Sequence, residues 1–183
     1  PTGYFDSEYR ITSGERGACW LKFTAKGKPA HASKPVLGRN AILMLTDFVQ
    51  KLKALESEAV ATPKEAQRLV RNGRKVLRMV AIKQGVPVNS LTRTLDHYTT
   101  SLGLINGGTK VNVVPERCEA EVDIRVPVGG SPDGVEEFVR SLLPENIEYE
   151  IISRTLPSFT SAAHPLTKAV QQGAKQVFGY KPS

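Results

Sequence analysis

Hydrophobic and polar residues alternate with a period of two in three stretches of the chain, and this spacing predicts β-strands with one buried face. The stretches are residues 18–26, 118–126 and 147–153. A shorter apolar segment at 101–105 is followed by a pair of glycines, which predicts a connection that reverses the chain before residue 118. The pattern therefore predicts four strands, two of which are joined by this reversing connection.

Apolar residues spaced three and four apart predict helices between these strands. One helix follows Asn40, which is a suitable N-cap, and another follows Ser131, with Pro132 in its first turn. A third begins at Pro165 and is stopped by Gly179. The first two helices and the strands alternate in the order β-α-(insertion)-β-β-α-β. We therefore predict an α+β fold of the ferredoxin-like type, an antiparallel sheet with two helices on one face.

A long insertion, at about residues 56–100, separates the first helix from the second strand. It contains a basic run with no acid after Glu65, made of Lys64, Arg68, Arg71, Arg74, Lys75, Arg78 and Lys83. Apolar residues recur among these cations, so we interpret the run as the solvated face of a helix that is broken or ends near Asn72 and Gly73. The net charge of +7 is concentrated in this segment and does not by itself indicate binding to nucleic acid.

Length and composition limit the class of protein. A chain of 183 residues, 40% of them hydrophobic, can bury a core. Cys19 and Cys118 fall at apolar positions of predicted strands, and we interpret both as free thiols that pack as small hydrophobes. No stretch approaches the ~18 apolar residues of a membrane span, and the N-terminus has no signal-peptide pattern. We expect a cytoplasmic protein with no membrane association.

One histidine is placed where a buried side chain is not expected. His31 lies in the segment GKPAHASKPVLGRNA, residues 27–41, between a strand and a helix. Its neighbours Ala30 and Ala32 are small, so the imidazole is unshielded and could donate a hydrogen bond or carry a proton. No nucleophile, base or metal ligand lies near it in sequence. The residues alone leave open whether His31 is functional. A site at His31 would need further groups that do not lie near it in sequence.

The other candidate residues are interpreted as structural. His97 closes the insertion, and His164 stands at a helix start. Glu119, Glu121 and Asp123 share one strand face, where parallel side chains do not converge on a metal, so we interpret them as a solvated sheet face. The chain has no HExxH segment, no clustered Cys/His pairs and no nucleophile elbow. A catalytic site is therefore not complete in this sequence.

A stand-alone ferredoxin-like binding module for RNA is the alternative function, since the chain is basic. Such a module stacks bases on aromatic residues of its central strand. The predicted strand at 118–126 instead has acids on its polar face, and acids repel phosphate. Tight, salt-sensitive binding to RNA would favour this alternative.

Three segments occur in order along the chain. They read GERGACW (14–20), GKPAHASKPVLGRNAI (27–42) and INGGTKVNVVPERCEAEVDIRVP (105–127). Together they resemble the lid or dimerisation domain of the zinc-dependent aminoacylase and peptidase family. This family includes acetylornithine deacetylase, succinyl-diaminopimelate desuccinylase and glutamate carboxypeptidase. The long basic insertion is not a general feature of the family.

The resemblance implies a domain inserted into a catalytic domain that carries two zinc ions. Residues 1–14 would be a stub of that catalytic domain, 15–156 the lid and dimerisation domain, and 157–183 the return segment and a helix of the catalytic domain. The zinc ligands and general-base glutamate would lie outside this chain, so the chain would bind no metal and be inactive alone. The full-length enzyme would be a homodimer that hydrolyses N-acyl amino acids or peptides, with no nucleic acid partner.

The resemblance also implies roles for four residues. His31 matches a lid histidine that reaches into the partner subunit's active site and stabilises the oxyanion of the tetrahedral intermediate. Asn112 and Arg125 match lid residues that hold the carboxylate and backbone of the substrate. Arg16 matches the same pattern, either as a further substrate-binding residue or as a support of the fold.

Overall fold

The computed structural model describes residues 12–161 and 163–179. Within these residues the chain forms, in order, β1 (Gly14–Glu15), β2 (Gly17–Lys26), α1 (Ala41–Leu52), α2 (Gln67–Gln84), α3 (Val88–Arg93), β3 (Thr99–Gly107), β4 (Arg117–Val126), α4 (Pro132–Leu142), β5 (Ile147–Thr155), β6 (Ser158–Phe159) and α5 (Pro165–Phe178). Short 3-10 turns lie at Pro35–Leu37, Lys53–Ser57 and Lys64–Ala66.

Four strands form one antiparallel sheet in the order β3-β4-β2-β5. The central strands β2 and β4 pair along their whole length, from Gly17 opposite Val126 to Lys26 opposite Arg117. Helices α1 and α4 contact each other and both pack on β2, so they cover the same face of the sheet. This is the ferredoxin-like α+β fold that the sequence predicts.

The core lies between the two helices and the apolar face of the sheet. Alternation along β2 places Leu21 and Phe23 in this layer, fully buried. The ring of Phe23 packs edge-on against Phe48 of α1, with 5.0 Å between ring centroids. Cys19 and Cys118 are buried free thiols, and burial raises the pKa of Cys19 to about 11. Both cysteines therefore pack as small apolar residues, as the sequence predicts.

Side chains cap three of the helices at the predicted positions. Asn40 Oδ1 accepts the backbone N–H of Ile42 at 3.0 Å, and Ser131 Oγ accepts that of Gly134 at 3.1 Å. His164 Nδ1 accepts the N–H of Leu166 at 3.2 Å, which confirms the predicted helix-start role of this histidine. Each contact pairs one of the backbone donors that a helix N-terminus leaves open.

The insertion is helical, but the prediction of a break at Asn72 and Gly73 is wrong. Helix α2 runs unbroken through both residues. Glycine in a helix interior costs about 1 kcal/mol relative to alanine. A Cβ at Gly73 would lie 3.4 Å from both methyl carbons of Leu95, an ordinary van der Waals contact, so Leu95 packs against this point of α2 and the site does not require glycine. The helix continues through Gly73 in spite of the low helix propensity of glycine.

Strands β1 and β6 form a second, two-stranded antiparallel sheet in which Gly14 lies opposite Phe159. The two connections that flank the four-stranded sheet therefore run side by side. Helix α5 follows and is capped by Gly179 in the left-handed conformation. Residues 1–11 and 180–183 of the expected stubs lie outside the described residues. No helix among the described residues is long and apolar enough to cross a membrane.

Candidate functional site

The loop that carries His31 leaves the end of β2, and backbone hydrogen bonds close its base. Lys28 and Arg39 exchange two N–H···O bonds of 2.8 Å. A Cβ at Gly27 would lie 2.2 Å from the carbonyl oxygen of Arg39 and 2.8 Å from that of Pro115. Only glycine permits this close approach, which fixes the point where the loop departs from the sheet.

The His31 loop is joined to the segment between β3 and β4. His31 forms a bridge with Val113. Two N–H···O=C bonds flank this bridge, from Ala32 to Asn112 at 3.0 Å and from Val114 to Ala30 at 2.8 Å. The backbone therefore brings the predicted site residues His31 and Asn112 to the same end of the sheet, and both residues are exposed.

The imidazole of His31 is held by Ser33. Its Nδ1 accepts the backbone N–H of Ser33 at 3.2 Å and lies 2.8 Å from Ser33 Oγ. Because Nδ1 is the acceptor of this N–H, a neutral ring carries its proton on Nε2. Nε2 has no hydrogen-bond partner among the residues that the structure describes. The loop thus offers an N–H donor to a group from outside.

Arg125 lies at the other end of the sheet. Along β4, Arg117 pairs with Lys26 beside the His31 loop, whereas Arg125 pairs with Ala18. At about 3.3 Å per residue, the eight-residue step between the two arginines spans roughly 26 Å. The side chain of Arg125 is 44% exposed and its Nε donates to Asp123 Oδ2 at 2.9 Å. A single protomer therefore does not bring Arg125 together with His31 and Asn112.

Arg16 lies near Arg125, but its guanidinium is used within the fold. Nη1 donates to Thr99 Oγ1 at 3.1 Å, and Nη2 donates to the carbonyls of His97 at 3.0 Å and Arg125 at 2.9 Å. Burial, with a smaller effect from Arg125, lowers the pKa of Arg16 to about 10. These contacts tie the start of β3 to the end of β4. They favour the fold-supporting role for Arg16 over substrate binding.

Two of the three carboxylates on the polar sheet face, those of Glu119 and Asp123, are paired with cations. Glu119 lies 3.3 Å from Lys22 Nζ and 2.6 Å from Arg117 Nη2, and these hydrogen bonds lower the pKa of Glu119. His97 Nδ1 lies 2.8 Å from Asp96 Oδ1, a structural contact. Within residues 12–161 and 163–179, no group of three or more His, Cys, Asp or Glu could hold a metal ion. Glu119, Glu121 and Asp123 are each partly exposed on this face, and its interpretation as a solvated face stays a prediction.

Sequence reasoning missed two features of this surface. One is Ser33, whose contact with His31 could have been suspected from its position two residues later in the same loop. The other is the edge of the sheet at β3. By their pairing with core residues of β4, Leu102 and Ile105 lie on the helix-covered face, yet they are 42% and 44% exposed. Helix α1, which contacts β3, also carries an exposed leucine, Leu43 at 66%, and we term these three side chains the apolar edge; no described residue covers them fully.

Comparison with known families identifies the class to which this fold belongs. Residues 13–150 match the family described as the peptidase dimerisation domain. This match spans most of the chain, and the chain belongs to that family. The family relationship inferred from the three sequence segments is thereby confirmed.

Individual relatives are similar over part of their length. A probable carboxypeptidase of Talaromyces marneffei is 32% identical over 120 residues, which cover 66% of this chain and 21% of the relative. A probable succinyl-diaminopimelate desuccinylase of Staphylococcus aureus is 26% identical over 153 residues, covering 81% and 35%. The chain thus spans about a third or less of the length of these curated relatives.

The fold is also that of a solved metallopeptidase. An M20 family metallo-carboxypeptidase from Sulfolobus solfataricus aligns with a TM-score of 0.71 at 18% identity. The alignment covers 94% of this chain and 45% of that protein. At this identity the similarity shows the fold alone, and it supports the ferredoxin-like assignment.

Proposed function

We propose that this chain is the lid and dimerisation domain of a hydrolase that cleaves the amide bond of N-acyl amino acids or peptides. In this proposal His31 of one protomer donates a hydrogen bond to the oxyanion formed in the active site of its partner. The observation that carries the proposal is the His31 imidazole, with Nδ1 bound to Ser33 and an unpaired donor at Nε2. The carboxypeptidase and desuccinylase among the relatives support the substrate class.

The geometry suits a hydrogen-bond donor for a developing negative charge. Attack on an amide carbonyl moves charge onto its oxygen, and one positioned donor is commonly worth about 3 kcal/mol of the barrier. His31 is exposed on a loop whose backbone is fixed by hydrogen bonds, so its ring can be positioned in advance. Apart from Ser33, no described side chain hydrogen-bonds the ring, which is expected if the substrate supplies the partner.

The distance between the predicted site residues supports a site shared by two protomers. Arg117, the β4 residue beside the His31 loop, lies roughly 26 Å along the sheet from Arg125, at about 3.3 Å per residue, and His31 and Asn112 lie beyond that end of the strand. One small substrate cannot contact both ends of one domain. We therefore propose that each site combines His31 and Asn112 of one protomer with Arg125 of the other, Arg125 binding the substrate carboxylate.

The apolar edge at β3 supports a homodimer in which two protomers share each active site. β3 is an edge strand, so one side of its backbone is open for pairing with another strand. Leu43, Leu102 and Ile105 would be buried when a second copy packs on this edge about a two-fold axis. We propose that two β3 strands and two α1 helices form the dimer interface.

The described residues do not fit a metal centre, although the family includes a metallo-carboxypeptidase. They contain no group of three or more potential ligands. We propose that zinc in the full-length enzyme is held by segments other than these, and that the described domain is inactive alone. The role assigned to His31 is hydrogen bonding only.

The proposed division of the chain places residues 1–14 and 157–183 with the catalytic domain. The pairing of β1 with β6 supports this division, because it brings the two flanking connections together. A host domain joined at both ends requires such adjacent connections. A cytoplasmic location remains a prediction.

The test of function uses His31→Ala in the full-length enzyme, assayed with N-acyl amino acids and dipeptides. We expect turnover to fall about 10²- to 10³-fold with an unchanged melting temperature, because the side chain makes no core contact. Lys28→Ala, an exposed change in the same loop, is the matched control and should retain activity. Unchanged turnover in His31→Ala would remove the proposed role.

The test of the interface compares two sheet edges. Leu102→Lys on β3 should convert the dimer to a monomer in analytical ultracentrifugation and abolish activity. Ile151→Lys on β5 is the control, since Ile151 is also 42% exposed but lies on the opposite edge. If the Ile151 change produces a monomer and the Leu102 change does not, the interface lies on the β5 edge and the proposed β3 interface is wrong.

A further inference from the structure

The net positive charge of the chain comes from one segment. Residues 66–95 contain seven cations and no acid, which equals the net charge of +7 of all 183 residues. The rest of the chain is therefore electrically balanced. This charge lies almost entirely on α2, the helix of the insertion.

Four of these cations form one exposed row on α2, which we term the basic face: Arg68, Arg71, Lys75 and Arg78. Their spacing of three, four and three residues keeps them on one side of the helix, over about 15 Å at 1.5 Å per residue. None of the four forms an ion pair with a residue that the structure describes. Arg74, outside the row, pairs with Asp96. The opposite side of α2, with Val70 and Ala81, is buried.

The basic face continues into an apolar end at the C-terminus of α2. Met79 and Ile82 follow Lys75 and Arg78 by four residues, and they are 59% and 69% exposed. Val86, which is 43% exposed, follows at the end of the helix, where the helix cap holds its backbone. In this cap Gly85 is left-handed with φ 67°, and Val86 donates its N–H to the carbonyl of Ala81 at 3.0 Å. Cations and apolar side chains thus share one surface of a fixed helix.

We propose that the basic face and the apolar end together bind the surface of an anionic lipid bilayer, with α2 lying parallel to it. The cations would contact acidic headgroups, and Met79, Ile82 and Val86 would enter the boundary between headgroups and acyl chains. This is contact with a membrane surface, in contrast to the sequence expectation of no membrane association, which rested on the absence of a span. The inference does not depend on the proposed hydrolase activity.

The same observations favour lipid over RNA as the occupant. Proteins that bind single-stranded RNA stack bases on aromatic side chains. Residues 66–95 contain no Phe, Tyr or Trp. The exposed side chains that accompany the cations are apolar and not aromatic, and these suit insertion into lipid better than contact with a phosphate backbone.

The experiment measures co-sedimentation of the full chain with vesicles at physiological salt. Vesicles of phosphatidylcholine alone are compared with vesicles containing phosphatidylserine. The basic-face variant carries Arg68→Gln, Arg71→Gln, Lys75→Gln and Arg78→Gln. The matched control loses the same charge elsewhere, through Lys53→Gln, Lys110→Gln, Lys168→Gln and Lys175→Gln, all at exposed positions. A third variant carries Met79→Gln and Ile82→Gln.

We expect binding to the anionic vesicles only. At about fivefold per cation near an anionic surface, the basic-face variant should bind several hundredfold more weakly, and the control should lose much less. The Met79 and Ile82 variant should bind roughly tenfold more weakly because its apolar contact is lost. A fall in binding of the unaltered chain as salt is raised provides a readout that needs no variant.

Three results would overturn the proposal. They are no binding of the unaltered chain to anionic vesicles, equal losses in the basic-face variant and its control, and unchanged binding in the Met79 and Ile82 variant. Binding to random-sequence RNA without binding to vesicles would assign the basic face to nucleic acid instead. Circular dichroism confirms that each variant is folded before binding is compared.

Discussion

The two ends of the four-stranded sheet use their polar groups in opposite ways. At the His31 end, backbone bonds from Ala32 to Asn112 and from Val114 to Ala30 join the two loops, and the side chains of His31 and Asn112 remain exposed. At the other end a side chain replaces backbone pairing, since Arg16 donates to two main-chain carbonyls and Thr99. Where backbone groups pair with each other, an exposed side chain is available to a ligand. A side chain whose donors pair with main-chain carbonyls is not.

This difference separates residues that the sequence resemblance groups together. Arg16 and Arg125 both match the substrate-binding pattern, but only Arg125 presents its guanidinium to solvent. Arg16 has lost part of its contact with water, and burial lowers its pKa to about 10. Counting hydrogen bonds thus separates two otherwise equivalent candidates: the side chain of Arg125 is open to solvent, whereas the guanidinium of Arg16 bonds within the fold.

The largest effect on stability is expected from a change at the base of the His31 loop. Gly27→Ala places a Cβ 2.2 Å from the carbonyl oxygen of Arg39, so the loop must move. We expect a loss of about 3 kcal/mol in stability. A loop displaced by 1 Å should also lower turnover about 100-fold. Denaturant unfolding and steady-state kinetics measure the two effects.

Gly173→Ala is the matched control, because a Cβ at that position in α5 meets nothing within 4 Å. It should leave turnover unchanged and stability equal or slightly higher. If Gly27→Ala changes stability and turnover no more than Gly173→Ala does, the close approach at the loop base does not fix the position of the loop. The account of the His31 end would then fail.

The next effect concerns the Arg16 end. Arg16→Ala removes the donors of the Thr99 hydroxyl and two carbonyls, and we expect a loss of about 2 kcal/mol in the free energy of unfolding. Arg125→Ala removes a surface ion pair with Asp123 and should cost about 1 kcal/mol or less. Arg16→Lys should recover little, because an ammonium cannot reproduce the guanidinium fork. A smaller loss in Arg16→Ala than in Arg125→Ala would reverse the roles assigned to them.

The smallest effect is expected at Ser33. Ser33→Ala removes the hydroxyl that lies 2.8 Å from His31 Nδ1 but keeps the backbone N–H bond. Losing one of two orienting contacts should lower kcat about two- to tenfold with little change in KM. Ser141→Ala, an exposed hydroxyl on α4, is the control. A loss as large as that of His31→Ala would mean that Ser33 takes part in the chemistry itself.

The sequence predicts those parts of the fold that local chemistry determines. Alternation predicts β2 and β4 to within one residue, and Asn40 and Ser131 mark the helix starts through their own capping contacts. The course of α2 through Gly73 could not be predicted, because glycine has a low intrinsic helix propensity and the packing of α2 against distant residues such as Leu95 is not visible in the local sequence.

The same distinction between local sequence and tertiary structure applies to the candidate site. The exposure of His31 follows from its small neighbours and is visible in the sequence. The roles of Arg16 and of the β3 edge are not, since both depend on where strands end and which strand lies outermost. The separation of His31 from Arg125 likewise requires the register of β2 with β4.

The most direct test of the central claim, that the two ends of one sheet serve different active sites, is a mixed dimer. One full-length subunit carries His31→Ala and the other Arg125→Ala, with different affinity tags so that the heterodimer can be purified. If each site takes His31 from one subunit and Arg125 from the other, one site of the heterodimer is intact. Because each two-fold dimer has two such sites, the heterodimer should show about half the activity of the unaltered dimer, while both parent homodimers are nearly inactive. A heterodimer as inactive as its parents would contradict the account.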